Sequence, residues 1–259
     1  MASNTEKNQS HWNEAASTYN TKFSKTIQQI ISEIQKRKDW IGVDWAEDIS
    51  DTEDANTSTP KKTVRLLDYA CGTGLVSRAL APYVTQCVGI DLTEGMVNEY
   101  NTSARNQGIP ESEMQAFQGN LISPDDPSPS AFSGPEFFNF DIAVVGLGFH
   151  HFDNPALAAK RLAERLKKGG VLMIVDFLPH EHFQFVIRFA MFFARVFGHN
   201  AAKTVTHMGF SEEEVKKMFE EAGVGGDFGY LQVGKGKITF EEGQEKVERS
   251  VFFARGSKL

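Results

Sequence analysis

Hydrophobic and polar residues recur along this chain with two periods, and the periods predict which segments are helices and which are strands. Ile27, Ile30, Ile31 and Ile34 fall at i, i+3, i+4 and i+7, which is the apolar stripe of an amphipathic helix. Further along, short runs rich in apolar and β-branched residues predict strands. The five runs are Val64–Asp68, Gln86–Asp91, Met114–Gln118, Asp141–Gly146 and Val171–Asp176.

Helical patterns separate these runs. They span Leu75–Ala81, Thr93–Asn106 and Pro155–Lys168. The third has clear signals for a helix start, because Asn154 can act as its N-cap and proline is favoured at the first helical position. Strict alternation of strand and helix predicts an α/β fold, in which right-handed crossovers build a parallel sheet with helices on both faces.

In the C-terminal third, the predicted strands and helices no longer alternate. Ser211 and Glu214 have the spacing of a capping box that starts a helix, and Gly223 is a stop signal for that helix. Two strand patterns follow without a helix between them, at about Asp227–Val233 and Val247–Ala254. A connection this short predicts an antiparallel pair.

Two segments have the composition of irregular structure. The composition of residues 42–62 predicts an acidic flexible linker. Residues 122–139 contain four of the nine prolines, and this composition predicts an exposed loop. The formal net charge is −7. Residues 44–54 alone carry six acidic residues and no basic one, so the rest of the chain is almost neutral.

Composition excludes several classes of partner and environment. No basic stripe is present, which disfavours nucleic-acid binding, and no apolar run reaches the about 18 residues that a membrane span needs. The polar segment Met1–Ser10 lacks the apolar core of a signal peptide. Cys71 and Cys87 are the two cysteines, too few for a disulfide scaffold. We expect a cytoplasmic protein, with a nuclear location left open.

A glycine-containing loop carries the clearest chemical signal. The predicted first strand runs into Gly72 and Gly74, and Asp91 ends the next strand, where such folds bind a ribose diol. Asp68, at the end of the first strand, would repel the pyrophosphate of a dinucleotide. Ser77 stands where a dinucleotide site has its third glycine. A ligand with an ammonium and a sulfonium group suits these charges, so the pattern favours S-adenosylmethionine (SAM) over NAD.

Four sequence blocks resemble class I SAM-dependent methyltransferases, in particular the group that includes the ubiquinone and menaquinone biosynthesis methyltransferases. The blocks are Leu66–Gly74, Gly89–Met96, Gly119–Leu121 and Phe140–Phe152. The resemblance implies a Rossmann-like fold whose seven-stranded, mostly parallel sheet has one antiparallel strand. It also implies an enzyme that uses SAM and releases S-adenosylhomocysteine.

The resemblance further implies a set of cofactor-binding residues. Asp91 would bind the ribose hydroxyls, Leu92 or Met96 would contact adenine, and Tyr19 would reach the SAM carboxylate. The Asn120 oxygen would accept from the adenine amino group, and the next N–H, that of Leu121, would donate to the ring. The full set is Tyr19, Asp68, Ala70, Cys71, Gly72, Gly74, Asp91, Leu92, Met96, Asn120, Leu121, Gly146 and Leu147.

His150 and His151 follow the predicted fourth strand at the edge of the sheet that binds ligands. One of them could be a general base, and we name both as catalytic candidates. The alternative, which we favour about two to one, is that the pair is structural. His180 and His182 lack a third ligand nearby, so no metal site is predicted.

The resemblance also divides the chain into regions. Residues 1–41 would form a helical cap over the cofactor and 63–259 the SAM-binding domain, with a phenylalanine-rich lid at 180–207. That insert has six phenylalanines within residues 183–197, and core packing or a homodimer face explains them about equally well. The expected substrate is a small, largely apolar or aromatic acceptor. A protein acceptor, a non-catalytic SAM-binding subunit and, more distantly, a NAD-linked oxidoreductase remain alternatives.

Overall fold

The computed structural model describes residues 3–46, 62–179, 204–242 and 245–259, without the side chains of 234–237 and 241–247. Most of the predicted acidic linker, residues 47–61, lies outside the described residues. The same holds for residues 180–203, which include His180, His182 and all six phenylalanines of the predicted lid.

Helices and strands alternate through the middle of the chain, as the hydrophobic pattern predicts. The helices are α1 (Asn4–Lys22), α2 (Ser24–Gln35), α3 (Lys38–Ile41), α4 (Leu75–Leu80), α5 (Glu94–Asn106), α6 (Pro155–Arg165) and α7 (Glu212–Glu221). The strands are β1 (Arg65–Tyr69), β2 (Gln86–Asp91), β3 (Met114–Gln118), β4 (Phe140–Gly146), β5 (Leu166–Phe177), β6 (Gly226–Glu242) and β7 (Glu245–Ser257).

The described residues form one seven-stranded sheet in the order β3-β2-β1-β4-β5-β7-β6. Pairs among the first five strands are parallel, whereas β7 runs antiparallel to both of its neighbours, β5 and β6. The expected mostly parallel sheet with one antiparallel strand is therefore confirmed. The chain reverses direction across the sheet between β1 and β4, which makes this the switch point where open α/β folds bind ligands.

Apolar side chains cover both faces of the sheet because successive strand residues point to opposite sides. Leu66 packs on the face covered by α2, α4 and α5, and its neighbour Leu67 packs on the face covered by α6 and α7. The isoleucine stripe predicted for α2 is buried, with Ile30 and Ile34 fully inaccessible. Within the described residues, no helix is long and apolar enough to cross a membrane.

Helix starts match the sequence signals better than helix ends do. The Ser211 hydroxyl accepts from the Glu214 N–H in a capping box, and Asn154 caps α6 by accepting from Leu157. The prediction that α6 continues to Lys168 was wrong. The helix stops at Arg165 because the backbone of Leu166 is extended and pairs with β4.

The segment predicted as an exposed loop, residues 122–139, is only partly exposed. It contains two short 3₁₀ turns, Ser130–Phe132 and Pro135–Phe137. The rings of Phe132 and Phe137 are buried and pack edge to face, with centroids 5.0 Å apart. The segment thus contributes to the core beside α6, which its prolines and polar residues do not indicate.

Candidate functional site

A cavity of about 540 Å³ lies at the carboxyl ends of β1, β2 and β4, where the chain reverses across the sheet. Most of the residues predicted from the sequence line it. They are Tyr19, Ala70, Cys71, Gly72, Asp91, Leu92, Met96, Asn120, Gly146, Leu147 and His151. Asp68, Gly74, Leu121 and His150 belong to the same loops but are not on the cavity wall.

The loop after β1 brings backbone close to the cavity. Gly72 has φ of +52°, and a Cβ added there would meet nothing within 4 Å, so the open space in front of it is available to a ligand. Ala70 adopts a similar φ of +53° without being glycine. Gly74 has φ of +90°, and a Cβ there would come within 2.9 Å of the Tyr100 ring. Gly74 is therefore required by the loop and its packing, although it does not face the cavity.

Asp91 fixes this loop to the end of β2. One carboxylate oxygen accepts from the Gly72 N–H at 2.9 Å, and the other accepts from the N–H and hydroxyl of Thr93 at 2.9 and 2.8 Å. Burial raises the pKa of Asp91, and the hydrogen bonds from Thr93 and Gly72 oppose that shift. Since Asp91 also lines the cavity, a ligand there would contact a carboxylate whose position is fixed by its bonds to Gly72 and Thr93.

Asp68 points away from the cavity, contrary to the expectation that it faces a cationic ligand. One of its oxygens accepts both the N–H and the hydroxyl of Ser77, at 2.9 and 2.7 Å, and the Tyr100 hydroxyl donates to Ser77 in turn. The carboxylate is only 1% exposed. Burial raises the pKa of Asp68 to about 7, partly opposed by the bonds from Ser77. Its described contacts are those of a residue that anchors α4 to β1.

The raised pKa of Asp68 predicts a pH-dependent stability. Between about pH 4 and pH 7 the unfolded chain releases this proton while the folded protein keeps it, so the free energy of unfolding falls by at most about 1.4 kcal/mol per pH unit. Asp68→Asn keeps an oxygen for Ser77 and carries no charge. In urea unfolding, we expect the free energy of unfolding of the variant, relative to that of wild type, to be larger at pH 8 than at pH 5. The same difference between variant and wild type at both pH values would contradict the raised pKa of Asp68.

Tyr69 occupies the hydrogen-bonding groups that the family pattern assigns to adenine. Its hydroxyl accepts from the Leu121 N–H at 3.2 Å and donates to the Asn120 Oδ1, also at 3.2 Å. The same Asn120 oxygen accepts from the Ile122 N–H at 2.9 Å. The Leu121 N–H, which the resemblance expects to donate to a ligand, is thus paired with Tyr69 in this structure, and the Leu121 side chain is buried in the core. Asn120 lines the cavity, and its amide NH₂ is the group left to face a ligand.

Helix α1 roofs the cavity and is tied to several separate loops. Asn4 donates to the carbonyl of His151 at 3.1 Å and to Asp153 at 3.0 Å. Asn13 accepts from the Gly95 N–H at 2.8 Å, and Asn20 accepts from the Thr73 hydroxyl at 2.7 Å. These bonds hold the helix across the ends of β1, β2 and β4.

The roof presents three side chains that the sequence motifs did not predict, Asn4, Asn8 and Trp12, beside Tyr19, which was predicted. All four line the cavity. The first three are spaced four residues apart and therefore share one helix face. Unlike the aliphatic stripe of α2, such a mixed stripe does not stand out in a hydrophobicity pattern. The four-residue spacing of Asn4, Asn8 and Trp12 is the sequence signal that could have identified this face of the helix.

The two candidate histidines occupy different environments. His150 is 2% exposed, its Nδ1 lies 2.8 Å from Asp176 Oδ1, and its backbone N–H donates to the other Asp176 oxygen at 3.1 Å. His151 lines the cavity, and its Nδ1 lies 3.0 Å from the Thr204 carbonyl oxygen. Of the two candidates, His151 therefore lines the cavity in this structure, whereas His150 lies behind the wall and is held by Asp176.

Acidic groups dominate the charge of the cavity. Its described lining includes three carboxylates, Asp91, Asp125 and Asp153, and no lysine or arginine. The rings of Trp12, Tyr19, Tyr69 and Phe152 add aromatic surface. No group of three or more His, Cys, Asp or Glu side chains able to hold a metal was found among the described residues. The cavity favours a cationic or neutral ligand with apolar parts.

Sequence comparison identifies related proteins. A family model described as a methyltransferase domain matches residues 23–224. An uncharacterised methyltransferase of Schizosaccharomyces pombe is 34% identical over 128 residues, or 49% of this chain and 44% of that protein. A demethylmenaquinone methyltransferase of Staphylococcus aureus is 26% identical over 184 residues, or 63% and 68% of the two chains. Matches to the first three curated relatives span less than half of those proteins' lengths.

Structural comparison agrees on the fold. A crystal structure from Thermotoga maritima, described as a SAM-dependent methyltransferase and possible histamine N-methyltransferase, superposes with a TM-score of 0.60 at 17% identity. The superposition covers 97% of this chain and 99% of that one. At this identity the match supports a shared fold.

Proposed function

Because this chain belongs to the methyltransferase domain family, we propose that it transfers the methyl group of SAM to a small acceptor and releases S-adenosylhomocysteine. The cavity at the switch point of the sheet is the proposed site. Its location agrees with the general rule that open α/β sheets bind ligands beyond the carboxyl ends of their strands.

The charge of the cavity is the observation that carries the proposal. SAM brings a sulfonium and an ammonium against one carboxylate, so its net charge is positive. The lining has three carboxylates and, among the described residues, no lysine or arginine. A dinucleotide would bring a pyrophosphate into the same acidic surroundings without a cation to pair with it. The cavity therefore favours SAM over NAD.

The lining residues also fit the parts of SAM. Asp91 has lone pairs for the two ribose hydroxyls, and Leu92 and Met96 offer an apolar wall for adenine. The NH₂ of Asn120 can donate to a ring nitrogen of the base. Burial raises the pKa of Tyr19 to about 12, so its hydroxyl stays protonated and can donate to the SAM carboxylate.

When bound, SAM supplies an electrophilic methyl group on a positively charged sulfur. The protein's part is then to align the acceptor with that methyl group and to exclude water. Helix α1 is placed to do both, because it covers the cavity and is bonded to the loops that hold Asp153, Gly95 and Thr73.

The aromatic part of the lining supports a small, largely apolar or aromatic acceptor. Trp12 and Phe152 lie on the wall with His151, and the Trp12 and His151 rings meet edge to face at 5.4 Å. One relative acts on a quinone precursor by its name, demethylmenaquinone methyltransferase. Such a compound combines a flat ring with an apolar body, which is the chemistry this wall would accept.

Thermal unfolding with added ligands tests the proposal. A ligand that binds only the folded state raises the melting temperature, and the rise grows with the logarithm of the ratio of ligand concentration to Kd. We expect SAM and S-adenosylhomocysteine to raise it by several degrees at concentrations about 100-fold above Kd, and NAD to leave it unchanged. A shift with NAD and none with SAM would overturn the cofactor assignment.

A further inference from the structure

We propose that Nε2 of His151 accepts a proton from the methyl acceptor, and that this acceptor is a small aromatic compound whose hydroxyl enters the cavity un-ionised. The proposal rests on the function proposed above and names both a catalytic residue and a substrate class for it.

The hydrogen bond of His151 fixes which of its ring nitrogens is basic. Nδ1 lies 3.0 Å from the Thr204 carbonyl oxygen, and a carbonyl oxygen can only accept, so Nδ1 carries the hydrogen. Nε2 then carries the lone pair. Within the part of the chain that the structure describes, Nε2 has no protein hydrogen-bond partner. The residue lines the cavity and is partly exposed there.

The surroundings keep this imidazole neutral. Burial lowers the pKa of His151 well below 6.5, and the neighbouring His150 and, more weakly, His11 lower it further, against the bond to Thr204. The His150 ring lies 4.1 Å away and is itself held by Asp176. Asp153, two residues further along the chain, is exposed at the rim and bonded to Asn4. His151 is therefore a free base at neutral pH.

The cavity's charge explains why a base is needed. Three carboxylates line it, and the described wall has no lysine or arginine, so a phenolate, thiolate or carboxylate would be repelled. An acceptor that enters must still hold its proton. Asp125 and Asp153 are at the exposed rim, which leaves His151 as the one imidazole among the described lining residues.

The lowered basicity of His151 favours a hydroxyl over an amine. A protonated amine has no lone pair and must lose its proton completely before it can attack, which is costly with so weak a base. A neutral phenol oxygen keeps lone pairs and can release its proton while the new bond forms. The aromatic rings of Trp12 and Phe152 on the same wall suit the ring of such an acceptor.

The proposed step balances without another reactant. The acceptor oxygen forms a bond to the methyl carbon as the carbon–sulfur bond breaks, and the electron pair of that bond goes to sulfur. The O–H bond breaks at the same time, and its proton goes to Nε2 of His151. The products are a methyl ether, S-adenosylhomocysteine and an imidazolium, which later releases its proton to water.

His151→Asn is the sharpest test variant. An asparagine amide can replace Nδ1–H as the donor to Thr204, and it removes only the base at Nε2. The probes are SAM with phenol, 4-chlorophenol and 4-nitrophenol, in order of rising acidity. We expect kcat with phenol to fall by about 10² to 10⁴ in the variant, while the Kd for SAM stays within about two-fold.

If His151 is a base, the fall in kcat caused by the substitution depends on the acidity of the phenol. A merely structural residue would cause the same fall with every phenol. The ratio of wild-type to variant kcat should shrink from phenol to 4-nitrophenol, because a more acidic phenol depends less on a base. The wild-type kcat/KM should fall as the pH drops through the lowered pKa of His151, and this limb should be missing in the variant. A ratio that is constant across the series, or an unchanged kcat with phenol, would overturn the role of His151.

Two further measurements separate the possible failures. His207→Gln is the matched control, because His207 bonds the Phe152 carbonyl oxygen through Nε2 at 3.1 Å and does not line the cavity; its activity should equal that of wild type. If wild type binds SAM but turns over none of the three phenols, the acceptor class is wrong while the cofactor assignment stands. If SAM does not bind, the proposed function itself fails.

Discussion

Asp91→Ala is expected to raise the Kd for SAM by about 100-fold or more. The variant loses the carboxylate proposed to bind the ribose, and it also frees the Gly72 N–H and Thr93 that Asp91 holds at 2.9 Å. Hydrogen bonds to charged groups contribute about 1.5–3 kcal/mol each. Losing the two proposed bonds between Asp91 and the ribose hydroxyls therefore raises Kd by about 100-fold or more. Calorimetric titration with SAM measures this directly.

Glu94→Ala is the matched control for Asp91. Glu94 is an exposed acid three residues further along the chain, in the first turn of α5, and it does not line the cavity. Its removal changes the net charge by the same amount, so it corrects for long-range electrostatics. The control should bind SAM as wild type does. If Asp91→Ala changed Kd by less than about three-fold, or about 0.6 kcal/mol, the assignment of the ribose site would be wrong.

Asp176→Ala is expected to have the largest effect on stability. Asp176 is fully buried in β5 and accepts from the His150 N–H, the His150 ring and the Phe177 N–H. Removing one member of such a buried network leaves polar groups without their acceptor and costs about 3–5 kcal/mol. Urea unfolding should show a lower midpoint by the corresponding amount.

Asp39→Ala serves as the control for this measurement. Its side chain is 92% exposed and pairs with Lys38 at 3.3 Å on the surface, where substitutions change stability by about 0.5 kcal/mol or less. A loss of less than about 1 kcal/mol in Asp176→Ala would show that His150 and its neighbours find other partners. The link between β5 and the loop that carries His151 would then need another explanation.

The sequence predicted the central strands well because they are buried on both faces. Gln86–Asp91 matches the observed β2 residue for residue and is buried from Cys87 onward, since a buried parallel strand is mostly apolar and bounded by turns. The edge strand β3, Met114–Gln118, also matches, although it is only partly buried. The end of α6 could not be predicted in the same way. Lys167 and Lys168 suit a helix terminus, and pairing of Leu166 with β4 depends on a strand more than twenty residues away.

The roles of individual side chains were harder to predict than their positions. Asp68 and Asp91 both lie near the carboxyl ends of their strands, yet Asp68 bonds to Ser77 while Asp91 lines the cavity. Asn120 lies where the resemblance places it, but the Tyr69 hydroxyl already bonds its oxygen. Each of these outcomes depends on a contact between residues far apart in sequence, which motif spacing does not specify.

Crystallisation with S-adenosylhomocysteine tests the central claim most directly. We expect electron density in the cavity between α1 and the ends of β1 and β2, with the ribose hydroxyls within hydrogen-bonding distance of Asp91. We also expect the sulfur to lie on the side of the cavity that holds His151. Density at another place, or a ligand that does not contact Asp91, would contradict the assignment of this cavity as the site of methyl transfer.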